Sequence, residues 1–160
     1  MTSEEHIQQQ IEERFPVTAG KFRLQRARRM WVEVPRELTI QFIEFVKGTL
    51  KFTEFCTLTG LDEGENLVFL YHIAQERSGI VLNIRVRVLK SDPTIPTITH
   101  IFPAAELSER EVEDLLGARV AGLAAGARYP LPDDWPLDDH PLLKSWKQKE
   151  KDKKPEVQDG

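Results

Sequence analysis

Two segments of the chain carry apolar side chains at the spacing of a single helix face. The first covers residues 7–15 and is followed by Pro16, which disfavours helical backbone in the residue before it. The second covers residues 38–46, begins just after Pro35 and ends near Gly48. Proline suits a first helical turn because its missing N–H has no partner there. The sequence therefore predicts two short amphipathic helices.

Alternating apolar and polar side chains predict strands on both sides of the second helix. Residues 22–24 and 30–34 precede it, and residues 52–59, 67–74 and 80–89 follow it. The last of these is the most regular, and its period of two places one face on a core and leaves the other partly in water. The order helix, two strands, helix, three strands predicts an α+β fold, with two layers, a mixed sheet and the helices on one sheet face.

A third helix is predicted at residues 108–117. Ser108 and Glu111 have the spacing of a capping box, in which each side chain bonds the other's backbone N–H. Leu107 and Val112 have the spacing of a hydrophobic staple across the same helix start. Gly117 is placed to end the helix in a left-handed conformation.

The remaining segments define the domain boundaries. We assign residues 1–128 to the α+β domain, with residues 92–103 as a proline-punctuated connector inside it. Residues 129–146 form an extended proline-rich arm, since prolines suppress regular structure. Residues 147–160 are charged and unpatterned, which predicts a disordered tail.

Composition narrows the class of protein. The 160 residues are 40% hydrophobic and 30% charged, which is typical of one globular domain. The net charge of −4 disfavours a nucleic-acid partner. No run approaches the roughly 20 apolar residues of a membrane span. The segment at residues 1–6 is polar and contains two glutamates, so it does not resemble a secretory signal. The lone Cys56 can form neither an internal disulfide nor a cluster site. We expect a cytoplasmic protein.

Motifs of the common enzyme classes are missing from the sequence. The histidines have no cysteine or second histidine at zinc-ligand spacing. There is no Gly-x-Ser-x-Gly elbow, and the glycines after the third helix are too widely spaced for a phosphate loop. We therefore predict no catalytic residue, no cofactor-binding residue and no metal ligand. The histidines are His6, His72, His100 and His140.

Two acidic clusters raise the alternative of a metal site. In the third helix, acidic residues of the first turn complement the helix dipole, which favours a structural or interface role. In the arm, the spacing of the acidic residues matches no calcium loop. The arm cluster comprises Asp133, Asp134, Asp138, Asp139 and His140, and the helix cluster comprises Glu109, Glu111, Glu113 and Asp114.

Two short motifs carry a resemblance to one family. Residues 109–117 read Glu-Arg-Glu-Val-Glu-Asp-Leu-Leu-Gly, and residues 129–135 read Tyr-Pro-Leu-Pro-Asp-Asp-Trp. Together with the approach at residues 97–105 and the exit at residues 140–144, they resemble the thirty-kilodalton, or C-type, subunit family of respiratory complex I (NADH:quinone oxidoreductase). The family includes homologues in membrane-bound nickel–iron hydrogenases. The resemblance is strong from about residue 96 to residue 144.

The resemblance implies a non-catalytic subunit of a membrane oxidoreductase. Such a subunit docks on the large subunit that shapes the quinone or nickel–iron site, beside iron–sulfur subunits, at the cytoplasmic face of the membrane. It implies a docking role for the third helix and no cofactor in this chain, with iron–sulfur clusters and a nickel–iron centre or flavin in the partners. The family usually carries His-Pro-Asp-Leu-Arg where this chain has residues 123–127, Leu-Ala-Ala-Gly-Ala. This departure leaves the hydrogenase-type branch open.

Candidate interface residues follow from the motifs and from two further patterns. Arg85 and Arg87 are cations on an outward sheet face, where they need water or acidic partners. Trp135 and Trp146 are large aromatic residues in a segment without a core pattern, which makes them candidate anchors. The predicted interface set is Arg85, Arg87, Glu109, Arg110, Glu111, Asp114, Arg119, Arg128, Asp134, Trp135, His140 and Lys144.

A second class of function is still open at this point. The chain could be a stand-alone small enzyme or a ligand-binding α+β domain whose acidic arm forms the site. A subunit predicts an inert isolated chain, whereas a stand-alone protein predicts chemistry or ligand binding without a partner.

Overall fold

The computed structural model describes residues 1–147. Of the predicted tail at residues 147–160, only Lys147 lies within that range. The helices and strands, in chain order, are α1 (Ser3–Arg14), β1 (Phe22–Arg26), β2 (Arg29–Glu33), α2 (Thr39–Gly48), β3 (Glu54–Asp62), β4 (Asn66–Gln75), β5 (Ile80–Leu89), β6 (Thr94–Pro96), α3 (Glu106–Leu116) and β7 (Arg119–Ala121).

The main sheet has five strands in the order β1-β2-β5-β4-β3. Neighbours pair antiparallel except β2 and β5, which run parallel with Arg29 opposite Val81 and Glu33 opposite Arg85. A parallel pair needs a long crossover, and here α2, β3 and β4 provide it. The mixed sheet predicted from the sequence is confirmed.

All three helices contribute to one core on a single face of this sheet. Ile11 of α1, Phe42 of α2 and Val112 of α3 join one cluster with alternate side chains of β4 and β5, such as Tyr71 and Ile84. The alternation in β5 follows the prediction: its even-numbered apolar side chains are buried, while Arg87 and Leu89 on the other face are exposed. The two-layer α+β arrangement is confirmed.

A chain of polar groups crosses the opposite sheet face. Asn83 is 1% exposed, and its amide nitrogen donates to the carbonyl of Met30 at 2.8 Å. Its amide oxygen therefore faces Nδ1 of His72, at 2.6 Å, so that Nδ1 carries the proton. Nε2 of His72 lies 3.1 Å from the hydroxyl of Thr59. These bonds join β2, β5, β4 and β3 and give His72 a structural role.

The start of the third helix differs from the prediction. A 3-10 turn at Pro103–Ala105 leads directly into α3 at Glu106, and no side chain within residues 1–147 caps the start of the helix. The predicted capping box is wrong because Ser108 already lies inside the first turn. The predicted staple is wrong as well, since Leu107 is exposed. The end of the helix is confirmed, because Gly117 adopts a left-handed φ of 70°.

Two short strands were missed by the sequence prediction. β6 and β7 form a separate parallel pair in which Ile95 lies opposite Val120. β6 lies inside the predicted connector, where prolines hide any alternation. Smaller differences are the shift of β3 from residues 52–59 to Glu54–Asp62, and a 3-10 turn at Arg36–Leu38 where the second helix was expected to begin.

Candidate docking surface

Asp114, near the end of α3, is the centre of contacts between the helix and the arm. Its carboxylate lies 3.2 Å from the Arg128 guanidinium and accepts a hydrogen bond from the N–H of Leu131 at 3.1 Å. Nδ1 of His140 donates to the Asp114 carbonyl at 2.8 Å, and the N–H of Leu142 donates to the next carbonyl at 2.9 Å. A helix end leaves carbonyls without partners, and the arm supplies donors for two of them. The arm therefore caps α3.

The contact between His140 and the helix end also requires a glycine. Gly117 is left-handed, and a Cβ placed on it would lie 2.8 Å from Cδ2 of His140. A larger residue would strain the backbone and push the ring away. The final residue of the Glu-Arg-Glu motif region thus allows the arm to approach.

Asp62, at the end of β3, ties the arm to the sheet. One carboxylate oxygen lies 2.6 Å from Nζ of Lys90, and the other accepts a hydrogen bond from the N–H of Lys144 at 2.8 Å. The hydrogen bond from Lys90, together with those from the N–H groups of Lys144 and Gly64, lowers the pKa of Asp62 to about 2. The Lys144 side chain remains exposed.

The two tryptophans of the arm, Trp135 and Trp146, pack against each other. Their rings stack with centroids 6.5 Å apart and an interplanar angle of 24°. Nε1 of Trp135 donates to the carbonyl of Asp139 at 2.7 Å, and Nε1 of Trp146 donates to the Asp139 carboxylate at 2.6 Å. We call this arrangement the tryptophan clasp. Residues 132–146 form consecutive turns. This part of the arm is therefore not extended, contrary to the prediction.

Glu109 is buried and forms its hydrogen bonds within the chain. It is 0% exposed, and its carboxylate accepts hydrogen bonds from the N–H of Ile98 at 2.7 Å and the hydroxyl of Thr97 at 2.6 Å. Burial raises the pKa of Glu109, and these hydrogen bonds oppose part of the rise. Glu109 therefore joins α3 to the segment that follows β6, and it does not reach the surface.

Arg110 covers the segment that departs from the family pattern. Its guanidinium pairs with Glu106 at 2.9 Å and donates to the carbonyl of Ala124 at 2.9 Å. A Cβ on Gly126 would lie 2.5 Å from this guanidinium, so the group rests directly on the glycine backbone. The missing side chain at Gly126 leaves the space that the Arg110 guanidinium occupies.

Arg85 and Arg87 lie on the sheet face opposite the helices. Arg85 pairs with Glu63 at 2.6 Å and approaches Glu33 at 3.6 Å, and Arg87 lies 3.8 Å from Glu33. The acidic partners that these cations need are therefore present within the chain.

The remaining predicted interface residues lie at or near the surface. Glu111 does not cap α3; it lines a shallow depression of about 180 Å³ with Thr57, Gly60 and Leu142. Arg119 on β7 and Asp134 in the arm are exposed. Across residues 1–147, no group of histidine, cysteine or acidic side chains is arranged to hold a metal ion. No helix in that range is long and apolar enough to cross a membrane.

Sequence reasoning missed the two side chains that organise the arm, Asp62 and Asp139. Local sequence shows Asp62 only as part of an acidic turn, because its partners Lys90 and Lys144 lie far along the chain. It shows Asp139 only as one member of an acidic cluster. The available signal was the presence of two tryptophans beside that cluster, since a half-buried indole N–H usually finds an acceptor.

The structure thus joins both halves of the motif, α3 and the arm, in one surface. Residues 32–152 match the family described as respiratory-chain NADH dehydrogenase, 30 Kd subunit. The chain belongs to this family. The resemblance seen in the sequence is confirmed.

Individual relatives agree with this assignment. The membrane-bound hydrogenase subunit beta of Pyrococcus furiosus is 31% identical over 150 residues, covering 89% of this chain and 85% of that protein. The C-type subunit of the NADH-quinone oxidoreductase of Moorella thermoacetica is 28% identical over 116 residues, covering 71% and 77%. A chain in the structure of the membrane-bound sulfane sulfur reductase, an archaeal respiratory membrane complex, superposes with a TM-score of 0.82 at 25% identity, covering 91% and 86%. These relatives are subunits of multi-subunit complexes, which implies partner subunits for this chain.

Proposed function

We propose that this chain is a non-catalytic subunit of a complex I-related membrane oxidoreductase, of the NADH dehydrogenase or the hydrogenase type. The observation that carries the proposal is the joining of the two motif halves by Asp114. The helix and the arm are separated in the sequence by residues 117–128, and the Asp114 contacts with Arg128, Leu131 and His140 build them into one surface. A surface assembled in this way suits a rigid docking platform.

The proposed partner is the large subunit that carries the quinone site or the nickel–iron centre, together with neighbouring iron–sulfur subunits. In this proposal, iron–sulfur clusters and a nickel–iron centre or flavin belong to those partners, and this chain contributes contacts only. The complex would lie at the cytoplasmic face of the membrane. The stand-alone enzyme is not favoured, because the relatives that cover most of this chain are named as subunits.

Co-purification tests the proposal. The full chain with a tag is isolated from its native membranes, and the bound proteins are identified by mass spectrometry. The expected result is a large subunit of the complex I or hydrogenase type. A pair of nickel-ligating Cys-x-x-Cys motifs in that protein would indicate a hydrogenase, and their absence would favour quinone chemistry.

A truncated chain provides the matched comparison. Ending the chain after Ala127 removes Arg128, His140 and the clasp, and leaves the strands and helices in place. We expect it to keep the circular dichroism of a folded protein and to lose the large subunit. Recovery of the wild-type chain without any large subunit, or as a metal- or flavin-containing protein on its own, would contradict the proposed function.

A further inference from the structure

The tryptophan clasp closes a tight turn at residues 135–139. The N–H of Asp139 donates to the carbonyl of Pro136 at 3.2 Å, and the N–H of Trp135 donates to the carbonyl of Pro132 at 3.0 Å. Across the base of the turn, the carbonyl and the carboxylate of Asp139 each accept one indole N–H. The two ends of the turn are therefore held by hydrogen bonds and by the stacked rings.

The same turn is fastened to α3. Nη1 of Arg128 donates to the carbonyl of Trp135 at 2.6 Å, while the guanidinium pairs with Asp114. On the other side of the turn, His140 donates to the Asp114 carbonyl. A loop that is already held in one conformation loses little conformational entropy on binding, which favours affinity.

Leu137 stands at the tip of this turn and is 83% exposed. Other exposed leucines show much less of their surface, such as Leu89 at 57% and Leu24 at 54%. The clasp thus holds an apolar side chain out into water, where residues 1–147 leave most of its surface uncovered. Burying a leucine of this kind in a partner removes apolar surface from water, which favours binding.

The surroundings of Leu137 indicate the chemistry of the partner. Asp133, Asp134 and Asp138 are exposed in the same pair of turns. Carboxylates brought against a partner lose hydration, and three of them in one small surface are offset best by cations on the partner. The matching surface is an apolar pocket with lysine or arginine at its rim.

We propose that Leu137 is the side chain by which the arm enters an apolar, basic-rimmed pocket of the large subunit. Trp135 and Trp146, the candidate anchors by size, shape the turn that presents it. This inference rests on the proposed function, since it names the contact through which the subunit docks.

Exposed leucines supply a matched test. In the full chain, Leu137→Asp and Leu24→Asp both place a carboxylate at an exposed position, and Leu24 lies on the edge strand β1, away from the predicted interface residues. Both variants should keep the circular dichroism of the folded chain. Co-purification with the large subunit should fall at least tenfold for Leu137→Asp and stay at the wild-type level for Leu24→Asp. Leu137→Met, which keeps an apolar side chain of similar size, should retain assembly.

The outcomes separate this inference from the proposed function. If wild type recovers the large subunit and Leu137→Asp recovers it equally well, Leu137 is not the anchor while the docking role stands. An equal loss in Leu137→Asp and Leu24→Asp would also show that Leu137 is not the anchor. If wild type itself recovers no large subunit, the proposed function fails.

The basic rim has its own test. Asp138→Lys should weaken co-purification, and Glu76→Lys, an equal charge change at the far turn between β4 and β5, should not. Raising the salt concentration to about 0.5 M should narrow the difference between Asp138→Lys and wild type, because surface charges are then screened. If Asp138→Lys co-purifies with the large subunit at the wild-type level at low salt, the pocket does not have the proposed basic rim.

Discussion

At the scale of single residues, Glu109 shows how a predicted surface acid becomes part of the interior. Removing its side chain leaves the buried N–H of Ile98 without the acceptor it now has at 2.7 Å. We expect Glu109→Ala to lower the free energy of unfolding by about 1–3 kcal/mol, the usual cost of an unsatisfied buried donor. Glu109→Gln keeps an oxygen for Ile98 and offers an N–H to Thr97, so its cost should be clearly smaller. Urea unfolding at neutral pH measures both, and equal losses would mean that these hydrogen bonds contribute little.

Asp62 gives a prediction on pH at the same scale. Its pKa is lowered from 3.8 to about 2 in the folded chain. A lowered pKa means that the carboxylate stabilises the fold above the unfolded pKa and loses this effect as the pH falls towards the folded pKa. The stability difference between wild type and Asp62→Asn should therefore be constant from about pH 5 to pH 7 and shrink from about pH 4 towards pH 2. Urea unfolding across this range measures it, and a difference independent of pH would show that Lys90 and Lys144 do not hold the charged form.

At the scale of elements, the two helix starts make opposite predictions. Thr2 caps α1 in a full capping box. Its hydroxyl accepts a hydrogen bond from the N–H of Glu5 at 3.2 Å, and the Glu5 carboxylate accepts one from the N–H of Thr2 at 2.7 Å. Thr2→Ala should therefore cost about 1 kcal/mol. Ser108 lies inside α3 and caps nothing, so Ser108→Ala should change stability by about 0.5 kcal/mol or less, in the direction of alanine's better helix propensity. Thermal unfolding measures both changes in stability. A loss of stability above about 0.5 kcal/mol for Ser108→Ala would indicate that Ser108 caps α3.

The elements also show which parts of the fold can be predicted from the sequence. α1 and β5 follow their patterns because each presents one face to a single core, so periodicity reports burial directly. The pairing of β2 with β5 could not be predicted, since a parallel partner is chosen by the crossover and not by local pattern. β6 and β7 were missed because three residues are too few to show a period.

The sequence pointed to the segments of the candidate site but not to the contacts within it. The motif lies on α3 and the arm, and the structure brings these two segments into contact. That this surface docks on a partner stays a prediction. The roles of individual side chains depend on long-range contacts, such as Asp62 with Lys144 and Glu109 with Ile98, which no local spacing reveals. Trp135 stands out in the sequence for its size, and in the fold it is half-buried because Trp146 stacks on it.

At the scale of the whole molecule, the arm and the domain form one unit. The arm supplies His140 and Leu142 as donors to the last turn of α3, and Lys144 connects it to Asp62 of the sheet. Leu143 packs against the core cluster. Docking through the arm would therefore also stabilise the helix that carries the first half of the motif.

This coupling predicts a local effect of removing the arm. In the chain truncated after Ala127, two carbonyls at the end of α3 lose their donors, so the helix should fray from that end. Hydrogen exchange should become faster for the amides of residues 112–116, while the amides of β4 and β5 should keep their wild-type protection. The single substitution His140→Ala removes one of the two donors and should give a smaller change in the same amides. If α3 exchanges at the same rate with and without the arm, the helix is stable alone, and the contacts of Asp114 serve only to position the arm for its partner.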